Sequence, residues 1–200
     1  MQASPSPRIV LVRHGETAWS KSGQHTGRTD IALTADGRQH AVALGQFLQA
    51  RYASPGQVWT SPLARAQETC RLAGYGATAR VDPDLPEWDY GIYEGRTTLE
   101  IRQLQPEWSV WKSEITGGEA LEQVAARTLA VIERATQAPG DVILFAHGHV
   151  LRILAATWMG LPPLAGRYLA LDTASVSVLG YERQTRVIRQ WNLTPAAGPA

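Results

Sequence analysis

The run Arg8-Ile9-Val10-Leu11-Val12-Arg13 constrains the fold more than any other segment. Its apolar, largely β-branched residues follow one another without alternation. A strand with one face in water alternates polar and apolar side chains, so a strand without alternation is covered on both faces. Val142-Ile143-Leu144-Phe145-Ala146 repeats the pattern, and Val58-Trp59-Thr60 and Ala79-Arg80-Val81 supply two shorter strands. Helical patterns lie between them. Asp36 to Ala50 gathers Ala41, Leu44, Phe47 and Leu48 on one face. Glu119 to Ala138 does the same with Leu121, Val124, Ala125, Thr128, Val131 and Ile132. A further helix opens near His149 and carries Leu151, Ile153 and Leu154. Ser175–Tyr181 and Arg186–Leu193 flank the turn Glu182-Arg183-Gln184-Thr185 and read as a hairpin. Strands alternating with helices predict an α/β fold: a three-layer α/β/α sandwich with a mostly parallel central sheet and helices on both faces.

With 200 residues, 44% of them apolar, the chain reads as a single domain over 1–200, with a core over about 8–193. Residues 88–118 read as a small cap segment. Nineteen basic residues against eighteen acidic ones give a net charge of +1, which excludes a nucleic-acid binder driven by bulk charge. No segment reaches the ~18 continuous apolar residues of a membrane span. Met1–Pro7 has neither the basic nor the apolar part of a signal peptide, and the expected location is cytoplasmic. The Pro/Gly/Ala-rich end, Thr194–Ala200, is expected to fray. Cys70 is the single cysteine, so neither an internal disulfide nor a cysteine zinc site is possible; it reads as a buried small hydrophobe.

In open α/β sheets ligands bind beyond the carboxyl ends of the strands. Here those ends carry Arg13-His14-Gly15, Ser61-Pro62-Leu63-Ala64-Arg65 and Ala146-His147-Gly148-His149. His14 and His147, with Arg13 and Arg65, therefore converge on one edge of the sheet. Glycine after each histidine allows a sharp turn and close approach of a ligand. Arginine offers a planar fork of donors matched to phosphate oxygens. Arg13, Arg65 and His147 around His14 would attract a phosphoryl dianion and stabilise its transfer. A neutral His14 could attack phosphorus, with its other ring nitrogen donating to a backbone carbonyl. Leu85 to Gly95 supplies the proton donor. Glu87 sits among Pro86, Trp88 and Tyr90, walls that favour an uncharged carboxyl. By residue type alone Glu87, Asp89 and Glu94 are equal choices.

Several residues also have plainer readings. His25 and His40 read as loop histidines. His149 reads equally as a helix cap and as a substrate contact. A metal held by His147 and His149 is disfavoured, because the two side chains diverge. Trp108 and Trp111, three apart, predict a helical stripe in the cap. Glu119 reads as a helix start, and Arg127 and Arg152 as structural ion-pair partners.

Four segments resemble the histidine phosphatase superfamily, in its phosphoglycerate-mutase-like branch. They are Arg13-His14-Gly15-Glu16-Thr17, Ser61 to Thr69, Leu85-x-Glu87 with Gly91 and Glu94-Gly95, and Ala146-His147-Gly148, and they occur in the family's order. The resemblance runs from about Arg8 to Asn192. It implies His14 as phospho-acceptor, Arg13, Arg65 and His147 as the phosphate pocket, Glu87 as proton donor, and no metal or other cofactor. Trp19 to Asp30 resembles the family's substrate loop, which nominates Ser20, Gln24, His25, Thr26 and Gly27, with Gly148 and His149, for substrate contact. Many relatives carry Asn where this chain has Ser20.

Glycolytic mutases of the family carry a long insertion with paired arginines in the cap. Between Gly95 and Gly117 this chain has only Arg96, Arg102 and Lys112 as basic residues. A shorter cap favours water as acceptor, and Trp19–Gln24, Glu87–Gly95 and Phe145–Arg152 are similar to fungal sedoheptulose-1,7-bisphosphatases and small bacterial acid phosphatases. The resemblance therefore implies a phosphatase acting on a small phosphorylated metabolite, sugar phosphates above all. The alternatives are a mutase and a non-catalytic phospho-ligand module. The C-terminal hairpin offers an edge for a homodimer.

Overall fold

Six strands form one sheet in the order β3-β2-β4-β1-β5-β6. A computed structural model describes residues 7–195. The polar start and the Pro/Gly/Ala tail read above lie outside these residues, apart from Pro7, Thr194 and Pro195. In chain order the elements are β1 (Ile9–Arg13), α1 (Ala18–Ser22), α2 (Ala35–Tyr52), β2 (Gln57–Thr60), α3 (Ala64–Leu72) and β3 (Arg80–Val81). There follow α4 (Thr98–Leu104), α5 (Leu121–Thr136), β4 (Val142–Ala146), α6 (Gly148–Trp158), β5 (Val176–Glu182) and β6 (Thr185–Leu193). Strands β3, β2, β4 and β1 pair in parallel. β5 and β6 close one edge antiparallel, as the hairpin pattern requires.

The unalternating strands are covered on both sides. Ile9 and Leu11 of β1, with Val142 and Leu144 of β4, pack in one cluster with Val124, Val131 and Ile132 of α5 and with α6. Val10 and Val12, with Ile143 and Phe145, pack on the other face with Leu44 and Leu48 of α2. Successive side chains point to opposite faces, so a strand buried on both faces must be apolar throughout. The three-layer α/β sandwich is thus the observed fold. Thr34 caps α2 by accepting the Gly37 N–H at 3.0 Å.

The cap departs from the pattern read in sequence. Among the described residues its only α-helix is α4; Trp108 lies in irregular backbone and Trp111 in a turn, rather than on a helical stripe. Trp108 is buried against Tyr93 and His25, their ring centroids 5.0 and 5.2 Å away. Glu119 also precedes its helix: α5 begins at Leu121, and Gln123 closes the start by accepting the Ala120 N–H at 2.7 Å. Among the described residues no helix is long and apolar enough to cross a membrane.

The register of the parallel strands builds the site. Arg13 pairs with Ala146, so His14 and His147 leave neighbouring strands at the same level. The His14 N–H donates to Ala146 O at 3.0 Å, and the Ser61 N–H donates to Phe145 O at 2.9 Å. Gly15 is needed for close packing rather than for a turn. Its φ is not positive, but a Cβ there would meet Gly37 O at 2.4 Å.

Candidate active site

A cleft of about 180 Å³ opens over the ends of β1 and β4. Arg13, His14, Glu87, His149 and Arg152 line it, with Ser20, Gln24, His25, Thr26, Tyr90, Gly148 and Leu171. A larger groove of about 1040 Å³, beside α3 and β3, contains none of these histidines and is lined by residues such as Pro62, Ala64 and Val81.

His14 is 4% exposed, and its Nδ1 lies 2.7 Å from Gly15 O. A carbonyl only accepts, so Nδ1 carries the proton and Nε2 keeps a free lone pair, as expected from sequence. Nε2 makes no hydrogen bond to the described residues. The His147 ring lies 5.1 Å from that of His14. Its Nδ1 accepts from Arg65 Nε at 3.1 Å, so its proton sits on Nε2, which donates to Ser61 Oγ at 2.7 Å.

Arg65 and His147 are almost fully buried behind the cleft, rather than on its wall. Arg65 also donates Nη1 to Thr29 O at 3.0 Å, and Nη2 to Thr26 O and Gly27 O at 3.0 and 2.9 Å. Four of its five N–H groups therefore already have protein acceptors. Arg13 differs: Nη1 donates to Leu171 O, while Nε is buried and finds no acceptor among the described residues. Such orphaned donors are rare and point to a ligand or water.

Three candidate acids now separate. Asp89 accepts from Arg28 Nε and from the Gly91 N–H, both at 3.0 Å, and Glu94 accepts the Thr29 N–H at 2.6 Å. Both hold loops. Glu87 alone lines the cleft. Its Oε1 accepts the N–H groups of Trp88 and Val150 at 3.0 and 2.9 Å, and Oε2 accepts that of His149 at 3.0 Å. The apolar walls read from sequence are present, but the start of α6 adds polar partners that sequence did not reveal.

Burial is the main cause of the electrostatics here. It holds His14 well below the usual imidazole range, helped by the charges of Arg65 and Arg13 and opposed by the Gly15 carbonyl. His147 is lowered by burial, then Arg65, and His149 by burial, then Arg152. Burial lowers His25 to about 4 and raises Cys70 to about 12, the latter consistent with an inert buried thiol. The Tyr90 phenol is pushed well above its usual value by burial and the charge of Glu87. It therefore stays protonated and donates to His149 Nδ1 at 2.6 Å, which places the proton of His149 on Nε2.

These imidazoles carry a stability consequence. The unfolded chain protonates them below about pH 6.5, while the fold keeps them neutral. Unfolded chains then bind more protons, so stability is present at neutral pH and is lost as pH falls through that value. The contribution of His25 is lost between 6.5 and about 4. A thermal midpoint that declines between about pH 7 and 5 is expected; a flat midpoint across that range would contradict buried neutral imidazoles.

The substrate-loop expectations fare unevenly. Gln24, His25 and Thr26 reach the cleft, and Gly148 forms part of its wall. Gly27 does not line it and packs on the Trp88 carbonyl, which a Cβ would meet at 2.8 Å. Ser20 borders the cleft, but its hydroxyl accepts the Thr17 N–H at 2.8 Å and donates to Thr17 O at 3.0 Å, so its one proton is committed to capping α1. His25 bonds Thr98 Oγ1 at 3.2 Å and ties the loop to the cap. His149 does not cap α6 with its side chain; His147 holds the cap position.

Tyr90, Arg152 and Leu171 were not singled out from sequence as site residues. Arg152 forms no ion pair with the described residues. It donates to Gly166 O and Arg167 O, both at 3.1 Å, and stacks over Trp111. Its spacing of three from His149 on one helix face was the available signal. Arg127 does pair with Glu119, at 2.9 Å, as expected.

The family described as the histidine phosphatase superfamily (branch 1) matches residues 9–194. An acid phosphatase of Mycobacterium tuberculosis is 39% identical over 189 residues, covering 94% of this chain and 93% of that protein. The sedoheptulose 1,7-bisphosphatase of Saccharomyces cerevisiae is 38% identical over 188 residues, covering 79% of this chain and 69% of its own. A solved Mycobacterium tuberculosis structure superposes with a TM-score of 0.89 at 38% identity, covering 95% of this chain and 99% of that one. With the family match running from β1 past the end of β6, the chain belongs to branch 1 of the histidine phosphatase superfamily.

Proposed function

We propose that the protein is a metal-independent phosphatase that hydrolyses small phosphomonoesters through a phosphohistidine on His14. The observation that carries the reading is the state of His14. Its Nδ1 is tied to a backbone carbonyl, its Nε2 lone pair is free at the cleft, and its charge-neutral form is favoured. Nε2 attacks phosphorus in line, a P–N bond forms and the P–O ester bond breaks. Arg13, whose Nε has no acceptor among the described residues, meets the developing charge on the equatorial oxygens. Arg65 and His147 act from behind, Arg65 chiefly through its charge. Glu87 gives a proton to the leaving alcohol and then takes one from the attacking water. That second attack breaks the P–N bond and restores the lone pair.

Beside His14 the cleft offers a leaving group Arg152, which has no carboxylate partner among the described residues, and His149, whose proton sits on Nε2. These donors suit oxygen-rich sugars or sugar acids rather than an apolar alcohol. The name of the sedoheptulose 1,7-bisphosphatase similar to this chain supports the same class, and that of the acid phosphatase supports phosphatase chemistry. Phosphate release with a chelator present, from sugar mono- and bisphosphates and from 3-phosphoglycerate, tests the reading. Chelator-insensitive release from sugar phosphates is expected. Transfer between phosphoglycerates without release would establish a mutase instead, and loss of activity in chelator would overturn the metal-free mechanism.

A further inference from the structure

We propose that Arg127 and Glu119 are positioning residues for Glu87, and that their ion pair sets the alignment of its carboxyl with the leaving group. The inference rests on the proton-donor reading of Glu87. Between β3 and α4 the segment that carries Glu87 has no regular structure beyond one short 3₁₀ turn at Gly91–Tyr93. Its shape therefore rests on side chains and on isolated backbone hydrogen bonds, such as that from the Leu85 N–H to Asp82 O at 3.2 Å. Arg127 reaches it from α5, with a side chain only 12% exposed. Its Nη1 donates to Asp84 O at 2.9 Å and Pro86 O at 2.7 Å. Nη2 donates to Glu87 O at 3.2 Å, and Nη2 and Nε grip Glu119 at 3.1 and 2.9 Å.

A guanidinium has five N–H groups, and all five are matched. Three go to carbonyls on the segment and two to the carboxylate that compensates the charge. Glu119 completes the clamp from the other side. Its Oε2 accepts the Asp89 N–H at 3.0 Å, its N–H donates to Asp89 O at 3.0 Å, and its carbonyl accepts from Trp88 Nε1 at 2.8 Å. Residues 84, 86, 87, 88 and 89 are thereby fixed from outside the cleft, while the Glu87 carboxyl is held at the start of α6. Neither Arg127 nor Glu119 lines the cleft. Both act through the backbone of Glu87.

Lysine has three donors on one atom and cannot span five acceptors. Proton donation matters most for poor leaving groups, so a slackened acid should be visible in the ratio of turnover on an alkyl phosphate to that on p-nitrophenyl phosphate. General acid catalysis is worth roughly 10²–10⁴-fold, and partial misplacement should cost about tenfold or more of that on the alkyl ester. Arg127→Lys is expected to lower the ratio by this factor with KM little changed. Adding it to Glu87→Gln should cost almost nothing further in the ratio, since both remove the same contribution.

An unchanged ratio, with both substrates losing activity in proportion to stability, would assign Arg127 a purely structural role and overturn the proposal. Should Arg127→Lys fail to fold, Glu119→Gln, which keeps the shape and removes the charge, decides by the same ratio. If Glu87→Gln itself leaves the ratio unchanged, the proton-donor reading falls and the proposal with it. If Glu87→Gln lowers the ratio and the Arg127 and Glu119 variants do not, only the positioning role falls.

Discussion

His14→Ala abolishes turnover, with a loss of at least about 10⁴-fold expected from removal of a covalent nucleophile. The neighbouring histidines are committed elsewhere: His147 uses Nδ1 for Arg65 and Nε2 for Ser61, His149 uses Nδ1 for Tyr90, and His25 bonds Thr98 through Nε2. The fold should survive, because β1 is held by apolar residues on both faces and His14 contributes no packing comparable to theirs. The phosphate-binding charges remain, so calorimetry should still detect inorganic phosphate binding. Parental turnover in a folded His14→Ala variant would end the nucleophile assignment.

Glu87→Gln produces the second large effect, and it is selective. The amide matches the carboxylate in size but has one acceptor and one donor end. Its oxygen best serves the two N–H groups at Oε1, from Trp88 and Val150, which turns the amide N–H₂ toward the His149 N–H. Two donors then face each other at the start of α6, a local cost of about 1–3 kcal/mol. On an alkyl phosphate, where the leaving oxygen must be protonated, turnover should fall by about 10²–10⁴-fold. On p-nitrophenyl phosphate, whose leaving group departs as an anion, the fall should be far smaller. Steady-state turnover on the two esters makes the comparison, and an equal loss on both would argue against proton donation.

The strands and most helices were legible because burial on both faces leaves a plain trace. Val10, Val12, Ile143 and Phe145 serve one side, and Ile9, Leu11, Val142 and Leu144 the other. His14 and His147 were legible for a related reason: parallel neighbours end on one edge. What sequence did not reveal had a different physical basis. Trp108 and Trp111 have helical spacing, but aromatic packing outside a helix fills the same space. Ser20 borders the cleft, and Thr17-x-x-Ser20 is at the same time a capping pattern in which the hydroxyl serves the backbone. Arg65 stands behind the cleft, and the loop carbonyls that occupy it come from residues 26–29, far away in sequence. The partners of Glu87 at His149 and Val150 lie about sixty residues further on. No local pattern announces contacts of that range. The same holds for Arg127, which was readable as an ion-pair partner but not as a clamp on the Glu87 segment.

The most direct test is to trap the intermediate. The protein is mixed with a substrate labelled in its phosphoryl group, turnover is quenched rapidly with alkali, and the label is located by peptide mapping. The account predicts an acid-labile, alkali-stable phosphoryl group on His14, formed and lost at rates compatible with turnover. Label on another residue, or rapid turnover with no labelled protein at any quench time, would contradict it.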